Sequence, residues 1–439
     1  MASGVIERRR PARPARPGER GIPRLRLLTG EGGGPGEIQH AAGRATPTRS
    51  PRPAAAVAAR RDAVVLVALV VGFSVFGLVM VLSSSSVESI ANYGSPWSII
   101  EHQGIWMALG GLAFVVATRL DLQFWRRLAV PVLIGTVVML VAVLVRGIGT
   151  VAGGSARWID LGPLRIQPSE FAKFAAVLFI ADFLARRAGP AGSSPDVARP
   201  VTIVLAVLGV LIARQPDLGT AAVIVVIGAV LLCAAGAPLR KVAFVGGVFA
   251  FLGGVFLLVE PYGRARLAGF WDPFAHASTT GYQVVQSLVT LGSGHWFGTG
   301  LGGSPAVWGF LPNANSDFIF AIIGNNFGLV GAAGVLAGFV AIGWLGIRIA
   351  RRAEDSFAFL LAVGVTTWIV IQALINIGGV VGVLPETGIP LPFLSSGGSS
   401  LVVLAVSAGL LVRIASHPEG MTRSSAAVRR GDRRVLARR

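Results

Sequence analysis

Apolar residues fill long, nearly uninterrupted runs along most of this 439-residue chain, and polar residues collect in the links between them. Runs of this length read as membrane-spanning helices. They predict ten spans, at about 63–83, 101–118, 128–145, 168–185, 200–213, 219–236, 241–259, 327–350, 357–380 and 398–416. The expected fold class is therefore all-α and polytopic, a ten-helix domain over 61–416. The fifth span is short and ends at Arg214-Gln215-Pro216-Asp217. It reads as a broken helix facing a cavity, the setting in which irregular backbone is tolerated at membrane depth. The link 260–326 between spans seven and eight is long, with apolar stretches and many glycines, and it is expected to be ordered, with short helices on the outer face.

Composition narrows the reading. Hydrophobic residues make up 53% of the chain and charged residues only 14%, which excludes a large soluble domain. The net charge of +18 sits mostly in the tails: residues 1–62 hold thirteen Arg against five acids, and 413–439 hold eight Arg against two. On a membrane protein such tails read as cytoplasmic retention and attraction to anionic lipid, so no nucleic-acid partner is expected. Residues 1–60, Pro/Arg-rich and unable to bury a core, are expected to form a disordered cytoplasmic tail too long for a signal n-region, with 417–439 a second, shorter one. The single cysteine, Cys233, lies in an apolar run and permits no disulfide framework.

Arginine placement orients the spans. Arg119, Arg126, Arg127, Arg186, Arg187, Arg199, Arg240, Lys241, Arg348, Arg351 and Arg352 fall in alternate links, whereas 84–100 and 381–397 contain no Lys or Arg. This places both termini in the cytoplasm. The exceptions carry information. Arg146, Arg157 and Arg165 in the outer link 146–167, and Arg264 and Arg266 in 260–326, stand against the rule and read as sites for something anionic.

Four clusters carry candidate chemistry. The first is Arg157-Trp-Ile-Asp-Leu-Gly-Pro-Leu-Arg-Ile-Gln167-Pro168-Ser169-Glu170-Phe-Ala-Lys173, which holds one of only two lysines in the chain. Pro168 suits a first helical turn, Glu170 then lies near the positive helix end, and Lys173 follows on the same face. A charge pair inside an apolar run marks either a buried polar site or a structural ion pair. The second cluster, Gln283-Val-Val-Gln286-Ser287 running on to Gly298-Thr-Gly300-Leu-Gly302, is rich in glycines that permit close backbone approach. Its His295 reads as a loop residue, and the five histidines show no metal-ligand spacing.

The third cluster is Leu311-Pro-Asn313-Ala-Asn315-Ser316-Asp317-Phe-Ile-Phe-Ala. Asp317 there is either a partly desolvated general base or, with Ser316, a helix N-cap, and spacing alone favours the cap. The fourth is Pro385-Glu386-Thr-Gly388-Ile-Pro-Leu-Pro-Phe-Leu-Ser395-Ser396-Gly-Gly-Ser399-Ser400, a rigid non-helical link in which Glu386 is the only charge. It reads as a re-entrant or gate-like segment.

The first, third and fourth stretches, in this order and among ten spans, resemble the shape, elongation, division and sporulation (SEDS) family, which includes FtsW and RodA. The resemblance covers about residues 60–416. It implies a ten-helix fold and a peptidoglycan glycosyltransferase acting on lipid II and a polyprenyl-linked glycan at the outer face of the plasma membrane. It also implies partnership with a class B penicillin-binding protein, the transpeptidase, and with other division proteins. The long basic tails favour the FtsW branch and the septum. Carried over residue by residue, Asp317 matches the family's essential loop aspartate, which reverses the preference for a cap. Arg157, Glu170 and Lys173 match its polar cluster, and Gln167 and Ser169 lie in the same motif. Glu386 and Ser399 match its last loop, and Gln286 joins them as a candidate substrate contact.

Three departures stand out. The family's Glu-Ala-His is here Asn313-Ala-Asn315, its paired glutamates are Asn325-Asn326, and its Ser-Tyr-Gly-Gly has Ser396 in place of tyrosine. No metal-ligand set is visible; a divalent cation such as Mg²⁺ could assist such a transfer, and the lost acids weaken that role. The expected mechanism has Asp317 as base, Arg157 and Lys173 receiving the departing diphosphate, and Glu170 orienting Lys173. A lipid II flippase using the same buried charges, and a non-catalytic division scaffold, are the alternatives.

Overall fold

The computed structural model describes residues 53–152, 155–162, 164–187, 197–303 and 309–417. Apart from 53–60 and 417, the two expected tails lie outside the described residues. Twelve helices are described: α1 Pro53–Tyr93, α2 Ser98–Arg119, α3 Leu122–Ala142, α4 Pro168–Arg187, α5 Ala198–Ala213, α6 Leu218–Ala234, α7 Leu239–Val259, α8 Pro261–Trp271, α9 Tyr282–Ser293, α10 Ile319–Arg352, α11 Ser356–Val380 and α12 Ser399–Ser416. α1 begins at Pro53, inside the segment expected as tail, because its apolar stretch extends back through alanines without a helix breaker.

Among the described residues seven helices are long and apolar enough to cross a membrane: α1, α2, α3, α7, α10, α11 and α12. α5 and α6 are shorter apolar helices. α4 is 20 residues long and carries Glu170, Lys173, Asp182, Arg186 and Arg187. It is nevertheless among the most buried helices, packed with α6, α11 and α12, and Lys173, Trp368 and Phe357 are among the largest fully buried side chains. α7 is the opposite case. Only Val242 and Val245 are buried on it, and its exposed Phe244, Phe251 and Leu258 fit a lipid-facing surface.

The link 146–167 departs from an all-α fold. It forms a three-stranded antiparallel sheet, β1 Gly149–Ala152, β2 Ser155–Leu161 and β3 Leu164–Ile166, with Thr150 opposite Trp158 and Asp160 opposite Arg165. The cross-strand pair Arg165–Asp160 closes at 2.9 Å on the exposed face. β1 and β3 span only four and three residues, too short to show a period-two pattern, so the sequence reads there as a link.

The link after α7 is ordered into α8 and α9, and α10 begins within it. α10 is broken at Gly328, whose φ of 66° interrupts the helix. The backbone groups freed by the break find partners in the glycine-rich stretch after α9. Thr299 and Gly300 N–H donate to the carbonyls of Asn325 and Asn326 at 2.9 and 3.1 Å, and Leu329 and Val330 N–H donate to those of His295 and Trp296 at 2.9 and 3.2 Å. At membrane depth an unpaired peptide group costs several kcal/mol, so this exchange of partners is what permits the break.

Candidate active site

α4 opens at Pro168, and its first two turns deliver Glu170 and Lys173 into the protein interior. Lys173 Nζ donates to Glu170 Oε1 at 2.7 Å and to Gln372 Oε1 at 2.7 Å, and it lies 5.5 Å from the centre of the Trp368 ring. Ser400 Oγ donates to Glu170 Oε2 at 2.7 Å. Both charges are thus fully paired and have no exposed surface, the condition under which an ion pair survives in a low-dielectric interior.

α11 extends this network. Trp368, Gln372 and Asn376 follow one another at a spacing of four on one helix face. Trp368 Nε1 donates to Gln372 Oε1 at 2.7 Å, and Gln372 Nε2 donates to the carbonyl of Pro390 at 2.8 Å. Asn376 Nδ2 donates to the carbonyls of Asp317 and Ile389 at 2.7 and 2.8 Å. The rigid link 381–398 is also fastened to the segment before α10: Ser395 Oγ donates to the Ser316 carbonyl at 2.5 Å, and Ser396 N–H to that of Asn315 at 2.9 Å.

These fastenings frame a small, open cavity, lined among others by Arg266, Gln283, Asn313, Asp317, Asn376, Glu386 and Gly388. Asp317 is half-buried. Neither it nor Ser316 caps α10, whose N-cap residue is Phe318 without a side-chain bond. Arg157, from β2, is gripped by the turn between α5 and α6: Nε donates to the Gln215 carbonyl at 2.9 Å and Nη2 to that of Pro216 at 2.6 Å. Arg266, from α8, donates through Nη1 to the Glu386 carbonyl at 3.0 Å, with Nε 3.8 Å from Glu386 Oε1. With its amide oriented to satisfy both groups, Gln283 donates to Glu386 Oε2 and Oε1 at 2.9 and 3.1 Å.

Asp317, Arg266 and Arg157 converge over Gly388. A Cβ placed on that glycine would stand 3.6 Å from Asp317 Oδ2, 3.7 Å from Arg266 Nη2 and 3.8 Å from Arg157 Nη1. Burial raises the pKa of Asp317 to about 6, with Glu386 and Asp217 adding to the rise and the cations Arg266 and Arg157 opposing it. Glu386 is also raised, again by burial first and against the pull of Arg266. At neutral pH a carboxyl with a pKa near 6 is mostly ionised yet remains a useful proton acceptor.

The other candidates from the sequence fall into two groups. Gln167, Ser169 and Ser399 form a buried chain outside the cavity lining: Gln167 N–H donates to Ser399 Oγ at 3.1 Å, Gln167 Nε2 to Ser169 Oγ at 3.0 Å, and Ser169 Oγ to Asp217 Oδ2 at 3.0 Å. Asp217 in turn caps α6 through the Thr220 N–H at 3.1 Å. Lys173 and Gln286 do not line the cavity. Lys173 is fully buried and bonded to Glu170 and Gln372, and the α9 side chain that reaches the cavity is Gln283, one turn before Gln286. The sequence reading did not assign Arg266, Gln283, Gln372 and Asn376 to the site. Arg266 carries a signal, as an arginine that breaks the charge pattern of the links. The neutral amides carry none.

A family model described as "Cell cycle protein" and covering FtsW, RodA and SpoVE matches residues 63–420. The chain belongs to the FtsW/RodA/SpoVE family. Among curated proteins similar to this member is one named "Probable peptidoglycan glycosyltransferase FtsW" from Geobacter metallireducens, 36% identical over 82% of this chain and 96% of its own length. Another of the same name, from Legionella pneumophila, is 37% identical over 80% of this chain and 89% of its own. Among solved structures, one titled "Structural coordination of polymerization and crosslinking by a peptidoglycan synthase complex" has a TM-score of 0.65 at 25% identity, covering 80% of this chain and 97% of its own. The fold is also that of Thermus thermophilus RodA, with a TM-score of 0.60 at 24% identity over 80% of this chain and 96% of that one.

The residues in which this FtsW/RodA/SpoVE member departs from the family pattern have definite places. Asn313 lines the cavity with a φ of 55°, a conformation asparagine tolerates. Asn315 Nδ2 donates to Glu88 Oε2 at 3.3 Å. Asn325 and Asn326 are buried, donating to Ser293 Oγ at 2.6 Å and Ser83 Oγ at 3.1 Å respectively. Among the described residues no three His, Cys, Asp or Glu side chains cluster as metal ligands.

Proposed function

We propose that this chain is a peptidoglycan glycosyltransferase of the FtsW type, polymerising lipid II into glycan strands at the outer face of the plasma membrane during division and releasing undecaprenyl diphosphate. The observation that carries the reading is the convergence of one carboxylate and two guanidinium groups over Gly388. Asp317 accepts the proton of the 4-hydroxyl of an incoming GlcNAc. That oxygen bonds to the anomeric carbon of the lipid-linked strand as the bond to the diphosphate oxygen breaks. Arg157 and Arg266 stabilise the departing diphosphate, a task suited to the planar guanidinium fork.

The Lys173 role changes from diphosphate ligand to support. With no exposed surface and two acceptors already engaged, its ammonium fixes α4 against α11. Glu386, itself held by Gln283, fixes Arg266 at the cavity wall, and Gln167, Ser169 and Ser399 tie the start of α4 to that of α12.

The topology that accompanies this reading has ten spans, with α4, α5 and α6 crossing alongside the seven longer helices, both termini cytoplasmic, and the cavity on the outer side. The domain boundaries proposed are 1–60 and 417–439 as tails around a 61–416 core, with the outer segment between α7 and the break in α10. The partner is a class B penicillin-binding protein, with other division proteins at the septum. The test is a purified complex with that transpeptidase, supplied with labelled lipid II. Wild type is expected to form polymer and Asp317→Asn none, with folding and partner binding retained. Unchanged synthesis by Asp317→Asn refutes the assignment, and lipid II movement across liposomes without polymer replaces it with a flippase.

A further inference from the structure

Two amides on α11 hold the cavity together, yet neither faces it as a charge. The two Nδ2 protons of Asn376 are spent on two different chain segments, the carbonyls of Asp317 at 2.7 Å and Ile389 at 2.8 Å. One turn earlier, Gln372 Nε2 holds the next carbonyl of the same link, Pro390, at 2.8 Å. Gly388, over which Asp317, Arg266 and Arg157 meet, is the residue immediately before this doubly held stretch. Asn376 Oδ1 is buried and has no hydrogen-bond partner. An acceptor left unpaired in the interior costs free energy, so packing alone would favour an apolar residue there. Among uncharged side chains only a primary amide offers two N–H groups from one atom to two diverging acceptors. Gln372 also accepts from Lys173 and Trp368, both at 2.7 Å, so its own orientation is set by the buried ion pair.

We propose that Asn376 is a positioning residue for Asp317, and that Gln372 and Asn376 act as one clamp setting the Asp317 carboxylate against the 388–390 backbone. This rests on the glycosyltransferase reading for its kinetic consequence, though not for its structural one. Asn376 borders the cavity, but the clamp's N–H groups are all engaged by backbone carbonyls and none is left for a ligand, so its loss acts on the chemical step. Misplacing a reacting group by about 1 Å costs on the order of 100-fold in rate.

The test uses the full chain in complex with its transpeptidase partner, comparing wild type with Asn376→Ala, Asn376→Asp, Gln372→Ala and the Gln372→Ala/Asn376→Ala double variant. Asn376→Asp is isosteric and, when ionised, has no N–H to give, so it reads the clamp even if the alanine variant fails to fold. The expected result is a fall in kcat of roughly 10- to 100-fold with KM for lipid II within about threefold. The double variant should fall no further than the worse single, as expected of residues working as one unit. Amide hydrogen exchange over 385–395 should be at least about tenfold faster in each variant, a readout independent of turnover. A kcat within twofold of wild type, a rise in KM alone, additive losses in the double variant, or unchanged exchange over 385–395 each overturn the clamp. Absence of polymer with wild type itself defeats the glycosyltransferase reading instead, and the exchange measurement still decides the clamp.

Discussion

The Asp317 carboxylate faces Gly388 so closely that a methyl group on that glycine would touch it, at 3.6 Å from Oδ2. The same methyl would lie in ordinary contact with Arg266 and Arg157, filling the space in which the three charges meet. Gly388 also has a φ of 69°, which costs a non-glycine residue roughly 1–2 kcal/mol. Gly388→Ala is therefore expected to fold, with its unfolding temperature in detergent lowered by a few degrees. Its polymerisation rate should fall much further than its stability. Equal, small losses in both would show that the glycine matters only for its backbone.

The pH dependence follows from the Asp317 pKa of about 6. Its folded value lies above the ordinary one, so the folded state holds this proton more tightly than the unfolded chain does. From this group alone, stability rises as pH falls from about 6 towards 4, the reverse of the usual acid effect. Activity goes the other way, because the base works only when ionised. Glycan synthesis should lose about half its rate near pH 6 and about nine-tenths near pH 5, while the unfolding temperature does not drop in step. A rate that stays flat from pH 7 to 5 would remove Asp317 as the base.

The Lys173–Glu170 pair predicts a stability effect that is not additive. Lys173→Met leaves Glu170 buried with only Ser400 as a hydrogen-bond donor, and breaking a buried pair in this way costs about 3–5 kcal/mol. The double variant Lys173→Met/Glu170→Gln removes both charges and should recover much of that loss in thermal unfolding. It should not recover full activity, because Gln372 loses the ammonium that orients it.

Much of this site could be read from the chain before its folding was known, for a physical reason: charge is rare in apolar sequence, so Lys173, Glu170, Asp317 and Glu386 stood out. Arg157 and Arg266 stand out as cations in links that the arginine pattern reads as outer. What spacing alone left open was the choice for Asp317 between cap and base, and the family resemblance turned that choice. Gln372 and Asn376 could not be recognised, because a neutral amide inside an apolar helix gives no hint of the two carbonyls it will meet. Gln286 and Gln283 lie in one helix a single turn apart, and only the packing of α9 decides that Gln283 is the one lining the cavity. The β1–β3 sheet left no period, and the break in α10 was visible only as a span that began late.

Arg157 makes a sharper prediction than its charge alone would. Two of its nitrogens are committed to the Gln215 and Pro216 carbonyls, and Nη1 projects towards Gly388. A lysine keeps the charge but cannot hold two carbonyls and present a third donor. Arg157→Lys should lose kcat/KM by about 100-fold or more, comparable to removal of a preorganised donor. An Arg157→Lys enzyme with near-normal turnover would mean that only net charge is required there.

The break in α10 depends on three glycines that allow two backbones to touch. A Cβ on Gly298 would lie 2.1 Å from the Asn326 carbonyl oxygen, one on Gly294 would lie 2.0 Å from that of Gly324, and one on Gly328 would lie 2.4 Å from that of Trp296. The opposing atoms are main chain and cannot rotate away. Separating the segments would strip partners from the amides of Leu329 and Val330 on α10 and of Thr299 and Gly300 in the stretch after α9. Gly298→Ala also pays the cost of a φ of 84°. Gly298→Ala and Gly328→Ala should therefore lower the unfolding temperature more than Gly388→Ala does, and should disturb Asn325 and Asn326 on α10. Gly300→Ala serves as the control: its φ is 85°, but its Cβ would meet nothing within 4 Å, so it isolates backbone strain from collision. Equal losses at Gly298 and Gly300 would show that strain, and not the close approach of the two backbones, limits this segment.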